Sequence, residues 1–300
     1  MHLRPLDKVV VIGVGLIGGS FALAARRAGA LKTVVGVGRG RANLEDALRL
    51  GLVDRAHTLD QSWQHELSDA DLVMLSIPVG QIPAMFAGIA PHLGESTLVT
   101  DAGSTKQDVV AAGRAHLFSA LPRFVPGHPI AGTEHSGAAA AFESLFRGKN
   151  VVLTPLTETL PTAVERVTEC WRRCGARVAN LDPARHDALF AAVSHLPHAL
   201  AFALVSGLAA RPDADEYFRY AASGFRDFTR LAASDPEMWR DICLANREAV
   251  LRELAAYRGE LERVERLLAA GHGEALKSLF AAARDARRDW LEAHRGSEEV

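Results

Sequence analysis

Lys8-Val9-Val10-Val11-Ile12-Gly13-Val14-Gly15-Leu16-Ile17-Gly18-Gly19-Ser20 is the stretch whose reading decides the fold. The β-branched run from Lys8 to Ile12 predicts a strand, and the Ala-rich segment after Ser20, to about Ala28, predicts a helix. Between them stands G-x-G-x-x-G, with Leu16 and Ile17 at its variable places, in the strand-before, helix-after context that gives the motif its meaning. Gly13 allows the tight turn, Gly15 lets the backbone approach a pyrophosphate, and Gly18 lets the helix lie close to the strand. The first N–H groups of the helix then face the anion. A glycine-rich turn without a ligand is the alternative reading. A second strand follows in order, which favours a dinucleotide site.

That second strand, Thr33 to Val37, leads into Gly38-Arg39-Gly40-Arg41. An NAD site places Asp or Glu here to accept from the ribose 2′-hydroxyl. The first carboxylate is Glu45, on the next predicted helix. Two guanidiniums and no acid suit a 2′-phosphate, so NADP is the expected cofactor and NAD the alternative. Asp71 to Pro78 and Thr97 to Ala102 read as buried parallel strands. The first ends in Ser76-Ile77-Pro78, with Ser76 and Pro78 expected at the cofactor crevice. The second runs into Ser104, expected to cap the following helix. Phe124 to Pro126, Val151 to Pro155 and Arg177 to Leu181 complete the strands, with a helix from Pro161 to Cys174.

Gly127-His128-Pro129-Ile130-Ala131-Gly132-Thr133-Glu134 reads as a tight turn that aims an imidazole, a hydroxyl and a carboxylate. Beside a nicotinamide ring, His128 suits removal of a proton from a hydroxyl whose carbon loses a hydride. From Asp182 onward the chain gives helix signals and no convincing strand. Asp182-Pro183 and Asp235-Pro236 each pair a capping carboxylate with proline at the first helical position. Ser194-His195-Leu196-Pro197-His198 falls inside the first of these helices, where the proline predicts a kink. Leu254, Tyr257, Leu261, Val264 and Leu268 form a stripe for helix-on-helix packing, within a subunit or across a dimer. The expected architecture is an α/β Rossmann-type dinucleotide-binding domain over residues 1–182, followed by an all-α domain over residues 183–300.

Three hundred residues at 48% hydrophobic allow a large core in two domains. A net charge of −2 without a basic tract argues against nucleic acid. Met1 to Lys8 lacks a signal-peptide layout and no apolar run reaches about 18 residues, so a cytoplasmic protein without a membrane partner is expected. Cys170 and Cys174, four apart on a helix, read as packing thiols and not as metal ligands.

Four segments together resemble the prephenate and arogenate (cyclohexadienyl) dehydrogenases of tyrosine biosynthesis. They are Gly13 to Ser20, Gly127 to Glu134, Ser194 to His198, and Gly224 to Trp239 (GFRDFTRLAASDPEMW). The first is generic to Rossmann enzymes and the other three are specific. The resemblance implies oxidative decarboxylation of a cyclohexadienol. Hydride leaves the carbon bearing the 4-hydroxyl for NAD(P)+, CO2 departs, and the ring becomes aromatic. Prephenate gives 4-hydroxyphenylpyruvate and arogenate gives tyrosine. By matching positions, His128 resembles the family base, and Ser104 the serine touching both base and substrate. Arg230 resembles the carboxylate-binding arginine and His198 a substrate-contacting histidine. Arg226, Thr133, Glu134, Trp239 and Ser194 fall on positions near the pocket. A carboxylate at Glu134 would attract the arogenate ammonium, so arogenate is expected to be accepted. The family's helical domain implies a homodimer. Competing readings are a β-hydroxyacid or imine dehydrogenase of similar two-domain fold, which in the β-hydroxyacid case would need a catalytic lysine where this chain offers only Lys277, and a non-catalytic NAD(P) sensor.

Overall fold

The computed structural model describes residues 4–133 and 135–293. The first half builds β1 (Leu6–Ile12), α1 (Leu16–Arg27), β2 (Leu31–Gly38), α2 (Arg41–Arg49), β3 (Arg55–Thr58), β4 (Leu72–Leu75), α3 (Ile82–Ile89), β5 (Leu98–Asp101), α4 (Gln107–His116) and β6 (Phe124–Val125). The strands form one six-stranded parallel sheet in the order β3-β2-β1-β4-β5-β6. Strand order reverses beside β1, which opens a crevice at the carboxyl ends of β1 and β4. Alternation along β1 explains its unbroken apolar run. Val9 and Val11 enter a core with Phe21, Phe146 and Trp171, whereas Val10 and Ile12 enter a second core with Val35, Trp63 and Phe86. The short strand β3 (Arg-Ala-His-Thr) gave no apolar signal because it is a polar edge strand.

A smaller sheet follows, made of β7 (Gly127–Ile130), β8 (Asn150–Leu153) and β9 (Arg177–Asn180), with α5 (Pro161–Arg173) between the last two. This corrects the sequence reading of Gly127 to Glu134 as a tight turn. Gly127 to Ile130 is an edge strand, antiparallel to β8, with His128 opposite Val152. Pro129 is tolerated because an edge strand has one side without ladder bonds. α5 is locked to α1 by Trp171, fully buried, with its ring centroid 4.9 Å from Phe21 and 5.0 Å from Phe146. Cys170 and Cys174 lie in the same core, and burial pushes the Cys170 thiol up to about 11 and that of Cys174 higher still. Among the described residues, no three His, Cys, Asp or Glu side chains gather as a metal site would need.

From Pro183 the described chain is helical: α6 (Pro183–Phe190), a π-helical turn at Ala191–His195, α7 (Leu196–Ala209), α8 (Ala214–Tyr220), α9 (Ser223–Thr229), α10 (Pro236–Ala245), α11 (Arg247–Ala269) and α12 (Gly273–Ala293). Both cap-plus-proline signals are realised. The Asp182 carboxylate accepts from the N–H groups of Ala184 and Arg185 at 2.9 and 3.1 Å, and that of Asp235 accepts from Met238 at 2.7 Å. The break near Pro197 takes the form of the π turn, which ends two residues before the proline. Pro183–Ala209 is long and apolar enough to cross a membrane by length and composition, contrary to the sequence expectation. Its His186 and His195, however, are buried in polar contacts within the fold. The stripe on α11 is largely uncovered, with Leu261 and Leu268 exposed, and Leu251, Phe280 and Trp290 on α11 and α12 are exposed as well.

Trp171→Ala removes an aromatic wedge from between two rings and should cost about 3–5 kcal/mol of stability. Denaturant unfolding at fixed protein concentration measures this. A loss below about 1 kcal/mol would show that α5 is held elsewhere.

Candidate active site

The turn after β1 is shaped by what its glycines exclude. Gly13 has φ of +96°, and a Cβ there would meet the Ser76 carbonyl oxygen at 2.2 Å. A Cβ at Gly18 would meet the Gly13 oxygen at 2.3 Å. A Cβ at Gly15 would meet nothing within 4 Å, so this backbone borders open space. Gly15 is also the cap position of α1, where no side chain accepts a hydrogen bond and no acid occupies the first turn. Leu16 and Ile17 open that helix. Asn43 braces the turn, donating to the Val14 carbonyl and accepting from the Ala138 N–H, each at 2.7 Å. Ser76 and Pro78 follow β4 and flank the same crevice. A glycine cradle with free helical N–H groups fits the pyrophosphate of a dinucleotide. β2 ends at Gly38, Arg39 is exposed just beyond it, and Arg41 begins α2. Thr58, the backbone and then Arg41 hold the nearby Asp60 carboxyl below its ordinary value.

The second half of the site lies where β7 leaves the sheet. Gly127 donates its N–H to Asp101 at 3.1 Å and accepts from the Lys106 ammonium at 2.8 Å, while Lys106 and Asp101 form a fully buried ion pair. This fixes the backbone beside His128. The His128 Nδ1 stands 2.9 Å from His186 Nε2, and His186 Nδ1 stands 2.8 Å from Asp187 Oδ1. Phe190 packs on both rings, with centroids 4.8 and 4.5 Å away. The Asp187 carboxylate also accepts the N–H groups of Lys106 and Gln107, at 2.8 and 2.9 Å, and so caps α4 from the helical half. This corrects the expectation that Ser104 caps α4. Ser104 sits in the preceding loop, partly exposed, and makes no hydrogen bond among the described residues.

Two further histidines close the cluster. Asn246 Nδ2 donates to the Asp187 carbonyl at 2.8 Å and approaches His195 Nδ1 at 3.2 Å, while the buried His195 Nε2 has no hydrogen-bond partner among the described residues. His198 stacks on Trp239 with centroids 3.5 Å apart and planes at 18°, and its Nδ1 donates to the Ser194 carbonyl at 2.8 Å. Burial comes first, and with it the repulsion that any charge on His186 would exert, the Lys106 ammonium and the like repulsion from His195 push His128 well below the ordinary imidazole range. Burial likewise lowers His195, to about 4, and lowers His186 and His198, the last also under the field of Arg230. Four imidazoles are thereby kept neutral, which is what a proton acceptor and neutral hydrogen-bond donors require.

The structure thus brings His128, His198 and Trp239 together, with Arg230 close enough to act on His198. Arg226 is exposed and faces Asp227 at 3.5 Å. α9 ends at Thr229 and Arg230 begins a separate turn. Thr133 is exposed and accepts from the His135 N–H at 3.2 Å. Glu134 lies outside the described residues. Sequence reasoning missed His186, Asp187, Lys106 and Asn246. An adjacent His-Asp pair in the opening turns of the helix capped by Asp182 was the available signal.

Residues 21–180 match the family described as prephenate dehydrogenase, nucleotide-binding domain, and residues 182–282 that described as prephenate dehydrogenase, dimerization domain. The chain belongs to the prephenate dehydrogenase family. The cyclohexadienyl dehydrogenase of Zymomonas mobilis is 33% identical, over 93% of this chain and 94% of its own. Prephenate dehydrogenase from Aquifex aeolicus, solved in complex with hydroxyphenyl propionate and NAD+, superposes with a TM-score of 0.88 at 36% identity, covering 96% of this chain and 99% of that one. Arogenate dehydrogenase of Synechocystis gives 0.78 at 31% identity, covering 94% and 99%.

Gly15→Ala should fold normally, because its side chain meets no protein atom, yet weaken dinucleotide binding. Gly18→Ala should lower thermal stability as well, because its Cβ collides with backbone. Melting temperature and cofactor titration measured on both variants separate the two effects, and equal loss of stability would contradict the assignment of Gly15 to ligand space.

Proposed function

We propose that the chain catalyses NAD(P)+-dependent oxidative decarboxylation of prephenate to 4-hydroxyphenylpyruvate, and of arogenate to tyrosine, in cytoplasmic tyrosine biosynthesis. The observation that carries this reading is a half-buried His128, 2.9 Å from His186 and with its pKa pushed down by burial, at the carboxyl ends of the sheet that holds the dinucleotide cradle. Bound nicotinamide supplies the hydride acceptor. His128 accepts the 4-hydroxyl proton as the hydride departs, and loss of CO2 with aromatisation makes the reaction downhill. Positioning and base catalysis are therefore the main tasks left to the chain. Arg230 binds a substrate carboxylate, His198 on its Trp239 platform contacts the substrate, and Ser104, in the loop after β5, touches both base and substrate. Arg226 and Thr133 belong to the outer wall. The Synechocystis likeness and the sequence place of Glu134 support acceptance of arogenate.

The acid-free end of β2 supports NADP as the preferred cofactor, bound through Arg39 and Arg41. The division at Asp182 follows the end of the strands at Asn180 and the start of helices at Pro183. The uncovered apolar residues of α11 and α12 support a homodimer through the helical domain, in line with the dimerization family matched there.

Prephenate and arogenate, each offered with NAD+ and NADP+, should give turnover read at the reduced-nicotinamide band. His128→Asn should lower kcat roughly 10²- to 10⁴-fold while cofactor still binds. Full activity in that variant removes the base assignment, and binding without turnover in all four mixtures would leave a sensor. The acid limb of kcat/KM should lie below the ordinary histidine pKa of about 6.5, because a lowered pKa keeps the base neutral at lower pH.

Replacing Arg39 and Arg41 together by Ser should reduce kcat/KM for NADP+ about 10- to 100-fold, the worth of lost hydrogen bonds to a charged phosphate, and leave NAD+ nearly unchanged. Equal effects on both cofactors would place these guanidiniums away from the 2′-position.

A further inference from the structure

We propose that His186 is a positioning residue and proton acceptor for His128, so that the proton taken from the substrate hydroxyl is matched by a second transfer from His128 to His186, which is ion-paired with Asp187. The inference rests on His128 being the base.

Hydrogen-bond roles along the chain follow from its far end. Burial raises the pKa of the Asp187 carboxyl, but hydrogen bonds from His186, Gln107 and Lys106 outweigh it and keep the group ionised. An ionised carboxylate only accepts, so His186 Nδ1 carries hydrogen across the 2.8 Å contact. A neutral His186 then presents a bare Nε2. His128 Nδ1, 2.9 Å away, must supply the hydrogen of that bond. A neutral His128 with its proton on Nδ1 has its lone pair on Nε2, the nitrogen not engaged in the relay. One carboxylate therefore selects the tautomer of a base two rings away.

The same geometry handles the charge. When the hydroxyl proton bonds to His128 Nε2, the His128 Nδ1–H bond can break and its proton bond to His186 Nε2. His128 ends neutral, protonated on Nε2, and His186 ends as an imidazolium against the Asp187 carboxylate. No proton reaches Asp187, and no other reactant is consumed. The groups facing His128 make this worthwhile. Lys106 lies behind the strand, paired with Asp101, while His195 in the π turn and His198 on α7 are neutral and Arg230 adds positive potential at His198. Asp108 on α4 is pushed upward by burial and nearby charge. Among these, Asp187 is the carboxylate hydrogen-bonded to the histidine chain. An imidazolium left on His128 would face Lys106 without it.

Two variants test the relay. The His186→Gln amide oxygen can accept from His128 Nδ1–H but cannot take its proton. His186→Phe keeps an aromatic ring but can do neither. In single-turnover hydride transfer, His186→Gln should be slower by about 10-fold or more, and His186→Phe slower still, within the range a general base contributes. KM and cofactor affinity should change little. Proton inventory in mixed H2O and D2O should report two protons in flight for the wild type and one for His186→Gln. An undiminished single-turnover rate in His186→Gln overturns the relay, as does a one-proton inventory in the wild type. His128→Asn distinguishes the two failures, since undiminished turnover there removes the base itself.

Discussion

The Asp187 carboxylate is the contact on which the rest of this site depends. Its oxygens receive two backbone N–H groups from the start of α4 and one imidazole N–H from its own neighbour. It thereby joins the dinucleotide-binding half to the helical half at a buried point, and the histidine pair belongs to neither half alone: His128 lies on the edge strand of one, and His186 on the first helix of the other. The peptide carbonyl of Asp187 takes part too, receiving Asn246 from the junction of α10 and α11. Seating of the domains and the His128–His186 contact thus share one anchor.

Around this anchor, the protein keeps imidazoles neutral by withholding water and by placing a cation nearby. Lys106 and Asp101 are buried at the end of β5, and their mutual charge is balanced by two backbone contacts from Gly127. A buried pair of this kind contributes little net stability because desolvation opposes it. Here it positions the strand that carries His128 and sets the sign of the local potential. The dinucleotide side uses the opposite device. The glycine turn presents uncapped N–H groups and no acid, so its potential favours an anion. The two halves of the crevice therefore differ: one offers backbone dipoles to an anion, and the other pairs its buried ammonium with a carboxylate and leaves Arg230 exposed.

Much of this arrangement could be read in the sequence wherever one residue pattern mapped to one local structure. The first strand and its glycine motif were legible because a β-branched run, a turn requirement and a helix start coincide within thirteen residues. Asp182-Pro183 and Asp235-Pro236 announced helix starts because capping is a local interaction. β3 was not legible, since a four-residue polar edge strand leaves no periodic signal. The stretch around His128 was taken for a turn because proline and glycine are also permitted on an edge strand, and which applies depends on a neighbour, β8, twenty residues onward. Ser104 was assigned a cap that a residue more than eighty positions away supplies. Groups that act through partners distant in sequence carry little local signature of their role: for His186 and Asp187 it is no more than an adjacent His-Asp pair just inside a capped helix.

The π turn at Ala191–His195 has a consequence for how this helix came to be. In a straight α-helix each residue advances by about 100°, which would place His198 about 120° around the axis from His186. One extra residue absorbed in the turn reduces that to about 20° and brings both histidines to one side. The displaced residue is Val193, which is 69% exposed. The turn reads as a one-residue insertion inside a helix, a lesion by ordinary helix rules, retained because it brings two groups of site residues into phase. Deleting a single residue there would restore a regular helix and take the active site apart without touching any residue that handles substrate.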